Sequence, residues 1–155
     1  MHPNCLAVDA ILEQAGVTGR VRILPEAAPT AAAAAALVGV EVGAIANSLV
    51  FATAEEEPLL VMTSGAHRVD TAKVAALVGT AELKRAAAEF VYAATGQRIG
   101  GVAPVGHPAP LRTLVDIALA DYPAVWAAGG IPHAVFPTTF DELLALTGGE
   151  SAEVA

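Results

Sequence analysis

The apolar segments of this chain are short, and glycine, proline, threonine or charged residues interrupt every one of them. No apolar run therefore reaches the ~18 residues of a membrane-spanning helix. The chain has 155 residues, of which 55% are hydrophobic and only 15% are charged, a composition that argues against disorder. The sequence predicts one domain over residues 1–155, built from short helices and short strands around a sizeable core.

Capping residues mark the starts of most predicted helices. Thr30 precedes the alanine-rich run AAAAAALV, and alanine has the highest helix propensity. Thr139 and Glu142 form a capping-box pattern before LLALTGG. Five helices are expected, and they begin at Asn4, Thr30, Asp70, near Ala81 (through Thr95) and at Thr139.

Apolar runs between the helices predict the strands. NSLVFAT and PLLVMT flank the acidic stretch AEEE and are typical of a hairpin. RVRILP, LRTLVDIAL, AVWAAGG and HAVFP supply further strands. Helices and strands alternate without a regular βαβ order, which favours an α/β fold with a mixed sheet flanked by helices over a doubly wound fold.

The charge distribution is acidic overall but uneven. The net charge of −8 has the wrong sign for a general nucleic-acid binder, because phosphate binding depends on lysine and arginine. All eight basic residues, however, lie between Arg20 and Arg112, while residues 113–155 carry six acids and no lysine or arginine. A local basic face is compatible with this pattern, as is a solvated surface.

The N-terminal segment and the cysteine content favour a cytoplasmic protein. MHPNCLAVDAILEQAG has no basic start and no continuous apolar stretch, so it does not have the pattern of a signal peptide. The single cysteine, Cys5, cannot form an internal disulfide, and a reducing compartment is the simplest setting. With no basic neighbour except His2, Cys5 is interpreted as an inert thiol.

Three common kinds of catalytic or cofactor site have little support. The four histidines (His2, His67, His107 and His133) are never three or four residues apart, and no cysteine cluster exists, so no metal site is expected. GQRIGG lacks the glycine spacing of a dinucleotide-binding loop, and no phosphate-binding P-loop occurs. TSGAH differs from the GxSxG elbow of serine hydrolases. No cofactor is predicted.

Polar residues and glycines at strand ends are the remaining candidates for a site. Singly each is explained equally well by turn chemistry, but together they can line one concave surface. The set comprises Asn47, Ser48, Thr63, Ser64, Gly65, His67, Gly100, Gly101, Gly106 and His133.

Several stretches resemble one known family in order along nearly the whole chain. They are TAAAAAALVGVEVGAIANSLVF, LLVMTSGAHRVDTAKVAALVG, ATGQRIGGVAPVGHP, LVDIAL and AAGGIPHAVFPTTFDELLALTGG, and GGVAPVGHP is the most specific. The sequence is thereby similar to the YbaK family, or prolyl-tRNA-synthetase-associated domains, which edit aminoacyl-tRNA. The resemblance implies a barrel-like mixed sheet that forms the pocket. It also implies hydrolysis of the ester between a wrong amino acid and the tRNA 3′ end.

The resemblance gives the glycine-rich loop, residues 96–108, a place in the site. Close approach to an aminoacyl-adenosine end requires bare backbone, which Gly100 and Gly101 supply, and their N–H groups are expected to polarise the ester carbonyl. Pro104 and Pro108 would hold the loop. Val102, Gly106 and His107 complete the predicted substrate-binding residues of this loop.

Asn47 departs from the family pattern, since many members have a lysine at this position. Asparagine donates and accepts hydrogen bonds but brings no charge. Asn47, Gly101 and His133 are the predicted catalytic residues, and Asp116 is a predicted second polar contact. The favoured function is a metal-independent deacylase acting on mischarged tRNA, with tRNA(Pro) first among substrates. The alternatives are a catalytically weak module that binds aminoacylated ends or amino-acid derivatives, and a domain that docks on prolyl-tRNA synthetase.

Overall fold

The computed structural model describes residues 1–155 as one mixed eight-stranded sheet with five α-helices. The helices are α1 (Pro3–Gln14), α2 (Ala31–Val38), α3 (Thr71–Val78), α4 (Ala88–Thr95) and α5 (Phe140–Thr147). The strands are β1 (Arg22–Ile23), β2 (Ile45–Thr53), β3 (Pro58–Ser64), β4 (Leu83–Arg85), β5 (Arg112–Asp116), β6 (Val125–Ala128), β7 (Ala134–Thr138) and β8 (Glu150–Ala152). Short 3₁₀ helices cover Val42–Ala44 and Ile117–Asp121.

The strand order is β1-β7-β6-β2-β3-β5-β8, and β4 pairs separately with β2. The predicted β2–β3 hairpin is confirmed as an antiparallel pair, whereas β3–β5, β5–β8 and β2–β6 are parallel. The mixed sheet predicted from the sequence is therefore present. It is open, because the end strands β1 and β8 do not pair with each other, and the barrel-like closure is not observed.

Strand β2 has two different partners along one of its sides. Strand β3 occupies the whole of the other side, from Ala46 to Ala52. On the first side β6 pairs only with Ile45 and Ala46, and β4 pairs only with residues 51–53. Residues 47–50 lie between these two partners with no strand beside them. We call this interval the β2 gap.

The central strand β3 is buried on both faces, which explains its continuous apolar sequence. Leu60 and Met62 pack in the larger core cluster with residues of α1, α4 and α5. Leu59 and Val61 point to the opposite face and pack against Val74 of α3. A small third cluster joins α2 to Ile45 and Trp126. The sheet is thus covered by helices on both faces.

Most predicted helix starts are confirmed by hydrogen bonds. The side chains of Thr30, Asp70 and Thr139 each accept a bond from the backbone N–H three residues later. The prediction for Asn4 was wrong, because α1 already begins at Pro3 and the His2 ring accepts the Asn4 N–H. Asn4 instead donates its amide to the Gly130 carbonyl, 126 residues away.

Two segments differ from the sequence prediction. The helix expected over residues 81–95 begins only at Ala88, because residues 83–85 form β4 and pair with β2. Strand β8 was not predicted, and it is short and mostly exposed. In both cases pairing with a distant strand determines a conformation that local pattern does not specify.

Candidate functional site

A cavity of about 310 Å³ opens at the β2 gap. Its floor is β2 from Ile45 to Val50, and β6 and β7 form one wall together with the start of α2. Arg85 and Ala86 after β4 form the opposite wall. Ile99, Gly100 and Val102 of the glycine-rich loop also line it. The volume is at the lower end of the range for small-molecule pockets.

The backbone of the β2 gap presents hydrogen-bonding groups to this cavity. The Val50 carbonyl accepts the Ala86 N–H on the β4 side, whereas the Ile45 carbonyl accepts the Gly65 N–H on the β3 side. Successive residues of a strand direct their backbone groups to alternate sides. The N–H and C=O of Ser48 therefore face the gap, where no strand pairs with them. The cavity combines apolar walls with an unpaired strand edge.

The two polar side chains on the floor lie on opposite faces of β2. Asn47 is half-buried and stands opposite Thr63 of β3. Ser48 stands opposite Met62, and its hydroxyl donates to the Met62 sulfur at 3.2 Å. The Asn47 amide is thus the side chain on the floor that can both donate to and accept from a ligand.

The glycine-rich loop is held by a buried glutamine. Gln97 is 3% exposed; its Oε1 accepts the Ala103 N–H at 2.6 Å, and its Nε2 donates to the Val105 carbonyl at 3.2 Å. The His107 ring contacts the Ala103 carbonyl at 2.8 Å through Nε2. Burial lowers the pKa of His107, with a smaller opposing effect from this bond. The loop is therefore shaped by internal hydrogen bonds.

The adjacent glycines of this loop do different things. Gly100 has φ +95°, lines the cavity, and has open space around its α-carbon. Gly101 is buried, and a Cβ there would lie 2.6 Å from the Pro132 nitrogen and also against the Ile131 backbone. The Gly101 N–H donates to the Arg98 carbonyl at 3.2 Å. Gly100 therefore faces the cavity, while Gly101 allows two loops to pack closely.

A second polar cluster surrounds the buried carboxylate of Asp116, which is 1% exposed. Its Oδ2 accepts from the Ser64 N–H at 3.0 Å and from the Thr63 hydroxyl at 3.3 Å, and lies 2.9 Å from Nδ1 of His67. Its Oδ1 accepts the Ala118 N–H at 3.0 Å. The cluster joins the ends of β3 and β5, and the row Asn47, Thr63 and Asp116 crosses three neighbouring strands on one face.

The structure brings only some of the predicted site residues to the cavity. Its lining includes Asn47, Ser48, Gly100 and Val102. Thr63, Ser64 and Asp116 belong to the buried cluster described above, and Gly65 follows β3. Pro104, Gly106 and His107 lie in the rest of the glycine-rich loop, and Gly101 lies behind Gly100. His133 is half-buried beyond the cavity, and its carbonyl accepts the Leu24 N–H.

Sequence reasoning missed the walls of the cavity. Arg85 and Trp126 line it, as do Ala28, Pro29 and Ala31 around the start of α2. In the sequence, Arg85 in LKRA and Trp126 in AVWAAGG are 41 positions apart. They indicate a binding site only when the fold shows that both line the same cavity. Their proximity depends on β4 and β6 flanking β2, which a single sequence does not reveal.

Three arginines stack on aromatic rings. The guanidinium carbon of Arg22 lies 5.0 Å from the centre of the Trp126 ring, and that of Arg98 lies 5.1 Å from the Tyr92 ring. Arg85 lies 5.9 Å from the Phe51 ring. Such contacts hold a guanidinium in place without neutralising its charge.

The structure shows neither a metal-binding cluster nor a membrane-spanning helix. No three histidine, cysteine, aspartate or glutamate side chains come together in a way that would hold a metal ion. None of the five helices is long and apolar enough to cross a bilayer. The Cys5 thiol is fully buried, and burial together with the nearby Asp9 raises its pKa.

An open mixed sheet with a small cavity beside a glycine-rich loop defines an α/β protein with a small-ligand pocket, and comparison with known proteins narrows this class. The sequence model of the aminoacyl-tRNA editing domain matches residues 25–146. The chain belongs to this family, which is also the YbaK family. No curated protein sequence matches the chain at a significant level.

Three solved structures share the fold over almost their whole length. A candidate trans-editing enzyme for prolyl-tRNA synthetase is 44% identical, with a TM-score of 0.92 over 99% of this chain and 98% of that chain. A protein from a study of epitope grafting onto scaffold proteins by computational design is 43% identical, with a TM-score of 0.91 over 99% and 97%. The hypothetical protein APE2540 is 30% identical, with a TM-score of 0.87 over 96% and 98%.

Proposed function

We propose that this protein hydrolyses the ester bond between a wrongly attached amino acid and the 3′ end of a tRNA, with tRNA(Pro) as the first candidate. The observation that carries the proposal is the cavity at the β2 gap, in a chain of the aminoacyl-tRNA editing family. The candidate trans-editing enzyme of similar structure supports prolyl-tRNA synthetase as the source of the substrate. The proposed place of action is the cytoplasm.

The cavity suits such a substrate because it offers both apolar walls and unpaired backbone. A small side chain would occupy the apolar space between β2 and β6, where Ile45, Trp126 and Ala127 form the walls. The cavity volume of about 310 Å³ limits the space for the side chain once part of the ribose is also bound. Discrimination between a wrong amino acid and proline would then depend on how the shape and polarity of each side chain match these walls.

Polar groups at the rim would orient the ester for attack. The Asn47 amide can hold a substrate oxygen, and the Ser48 N–H faces the same space. Gly100 brings the backbone of the glycine-rich loop to the cavity, in the position for a donor to the developing oxyanion. A fixed water, held by the neighbouring 2′-hydroxyl of the tRNA, would attack the ester carbonyl carbon. The bond from that carbon to the ribose oxygen then breaks, and the proton from the water passes to the ribose oxygen, which releases the free amino acid and the uncharged tRNA.

Two residues from the predicted catalytic set receive a supporting role in this proposal. The Gly101 N–H is already bonded to the Arg98 carbonyl, and His133 lies beyond the cavity walls. We therefore assign carbonyl polarisation to Gly100 and positioning of the loops to Gly101 and His133. The cluster of Asp116, Thr63 and His67 would support β2 from the neighbouring strands.

The deciding experiment is deacylation of a panel of tRNA(Pro) charged with alanine, serine, threonine, cysteine and 2-aminobutyrate, with correctly charged prolyl-tRNA as the control. We expect hydrolysis of at least one small-residue ester and none of prolyl-tRNA. Because no metal ligands are involved in the proposal, treatment with a chelator should leave the rate unchanged. Absence of hydrolysis across the panel, extended to other tRNAs, would overturn the proposal.

Asn47 favours one alternative, a module that binds aminoacylated ends without hydrolysing them. Many relatives have a charged lysine at this position, and an amide cannot supply the same electrostatic stabilisation. Binding of a non-hydrolysable aminoacyl-adenosine analogue without turnover of any ester would favour this alternative. A synthetase-docking role would instead be indicated by co-purification with prolyl-tRNA synthetase in the absence of both activities.

A further inference from the structure

The basic residues of this acidic protein divide into two groups. Arg20, Lys73 and Arg112 donate to backbone carbonyls within the protein. Lys84 lies 3.5 Å from the carboxylate of Glu82. The remaining four are Arg22, Arg68, Arg85 and Arg98, which form no salt bridge within 4.0 Å and no hydrogen bond from the guanidinium.

Three of these four free arginines surround the cavity. Arg85 lines it directly. Arg22 stacks on Trp126, a wall residue, and pairs in register with Val135, another wall residue. Arg98 belongs to the glycine-rich loop and immediately precedes Ile99 and Gly100, which line the cavity. We call Arg22, Arg85 and Arg98 the arginine rim.

The rim arginines are also the three that stack on aromatic rings. Stacking restrains each guanidinium while leaving its N–H donors free, so less side-chain entropy is lost when an anion binds. A chain with a net charge of −8 thus keeps its restrained, unpaired positive charges at the mouth of one cavity. Exposed Tyr92, whose ring carries Arg98 on one face, adds an aromatic side chain of the kind on which unpaired bases stack.

We propose that the arginine rim binds the phosphates of a single-stranded RNA end and so feeds the terminal nucleoside into the cavity. The proposed function supplies the identity of that end, a tRNA 3′ terminus, and the inference rests on it in this respect. The rim explains how a protein of this net charge can bind a polyanion, because only the local field at the contact surface matters within a Debye length of about 8–10 Å.

The test measures binding of an uncharged RNA hairpin with a single-stranded CCA 3′ end, by fluorescence anisotropy over a range of salt concentrations. Releasing counterions from each contacted phosphate of a single strand contributes about 0.7 to the slope of log K against log salt. The triple variant Arg22→Gln, Arg85→Gln, Arg98→Gln should therefore lower the slope by about 2 and raise the Kd at least tenfold at 50 mM salt. Glutamine keeps part of the stacked stem, and the thermal midpoint checks that the fold is retained.

Lys84→Gln is the matched control. It removes one positive charge next to Arg85 in the chain, but Lys84 stands opposite Ala52 and Arg85 opposite Phe51, so their side chains point to opposite faces of the sheet. Its Kd and salt slope should stay at wild-type values. The inference is overturned if wild type does not bind the hairpin at 50 mM salt. It is equally overturned if the triple variant retains the wild-type slope, or if Lys84→Gln weakens binding as much as Arg85→Gln.

A separate measurement keeps this inference distinct from the proposed function. Wild-type protein is given aminoacyl-adenosine esters, which lack phosphates, together with the mischarged tRNA panel. If no ester is hydrolysed but the rim variants still lose RNA binding, the inference stands and the deacylase proposal falls. If esters are hydrolysed but the triple variant binds RNA as tightly as wild type, the deacylase proposal stands and the inference falls.

Discussion

At the scale of single residues, two positions show how far a side chain's role depends on its distant neighbours. Asparagine is a common helix-capping residue, yet the side-chain amide of Asn4 donates to the Gly130 carbonyl at 3.1 Å and so ties α1 to the turn at Gly130. Asparagine is also common in turns, yet Asn47 lies within the nine-residue strand β2, on the floor of the cavity. In both cases long-range pairing, and not local sequence, determines the role.

The Asn47 side chain gives the first prediction. If its amide holds a substrate oxygen, Asn47→Ala removes a hydrogen bond that contributes about 0.5–1.5 kcal/mol. Deacylation of the best substrate should slow by about two- to thirteenfold, since ~1.4 kcal/mol corresponds to one decade in rate. Asn47→Lys, which introduces the lysine that the family resemblance implies at this position, should keep or raise activity on some member of the panel.

The measurement is kcat/KM for wild type and both variants, with the thermal midpoint as the control for folding. A rate for Asn47→Ala within twofold of wild type would remove the amide from the chemistry. Inactive wild type together with active Asn47→Lys would replace the deacylase by the binding module.

At the scale of elements, the glycine-rich loop and the turn around Ile131 form one packed unit. The bare α-carbon of Gly101 lies against the Ile131–Pro132 backbone, which cannot move aside as a flexible side chain would. Gly100, by contrast, faces open space. The two glycines therefore have different surroundings, and only Gly100 has open space beside its α-carbon.

The second prediction compares these neighbours. Gly101→Ala forces a methyl group into main-chain atoms, an overpacking that costs about 1–3 kcal/mol. The thermal midpoint should fall by roughly 2–10 °C for a domain of this size. Gly100→Ala has only the conformational cost of a positive φ, about 1–2 kcal/mol. Because the Gly101→Ala methyl group would in addition clash with the Ile131 carbonyl carbon, we expect the midpoint of Gly100→Ala to fall less. Its added methyl group lies beside the cavity, so its deacylation rate should change. Equal midpoints for the two variants would contradict the packing role of Gly101.

The sequence predicts local elements well and non-local pairing poorly. Caps at Thr30, Asp70 and Thr139 act within one helical turn, and the β2–β3 hairpin joins adjacent segments, so both are encoded locally. Residues 83–85 lie in an alanine-rich stretch whose local pattern predicts a helix, but they form a strand because they pair with β2. The family resemblance located the glycine-rich loop, whereas the walls at Arg85 and Trp126 depend on which strands flank β2.

At the scale of the whole molecule, the free energy of unfolding should depend on pH through His107, whose ring is partly buried in the glycine-rich loop. Burial lowers the pKa of His107, so the unfolded chain takes up this proton more readily than the folded one. Stability from this group is therefore fully present above its unfolded pKa of about 6.5 and is lost as the pH falls below that value.

The third prediction follows from that sign. His107→Gln removes the titrating ring while keeping a donor for the Ala103 carbonyl, so its thermal midpoint should fall less than that of wild type between pH 7.5 and pH 5.5. Thermal unfolding of both proteins in matched buffers measures the difference. The other three histidines are common to both proteins and cancel in the comparison. Parallel pH profiles would show that His107 does not carry this dependence.

The β2 gap has a consequence for how substrate preference can diverge among proteins of this fold. The floor of the cavity is a single strand, β2, and the width of the β2 gap depends on how far apart β4 and β6 pair along that strand. Strand β4 has three residues, of which Leu83 packs in a buried cluster with residues of β3 and β5, while Lys84 and Arg85 are exposed. Changes at the two exposed positions can therefore alter this wall while the buried cluster is retained. Substrate selectivity can therefore change through exposed residues of an edge strand, while the buried core residues of β3 and β5 stay the same.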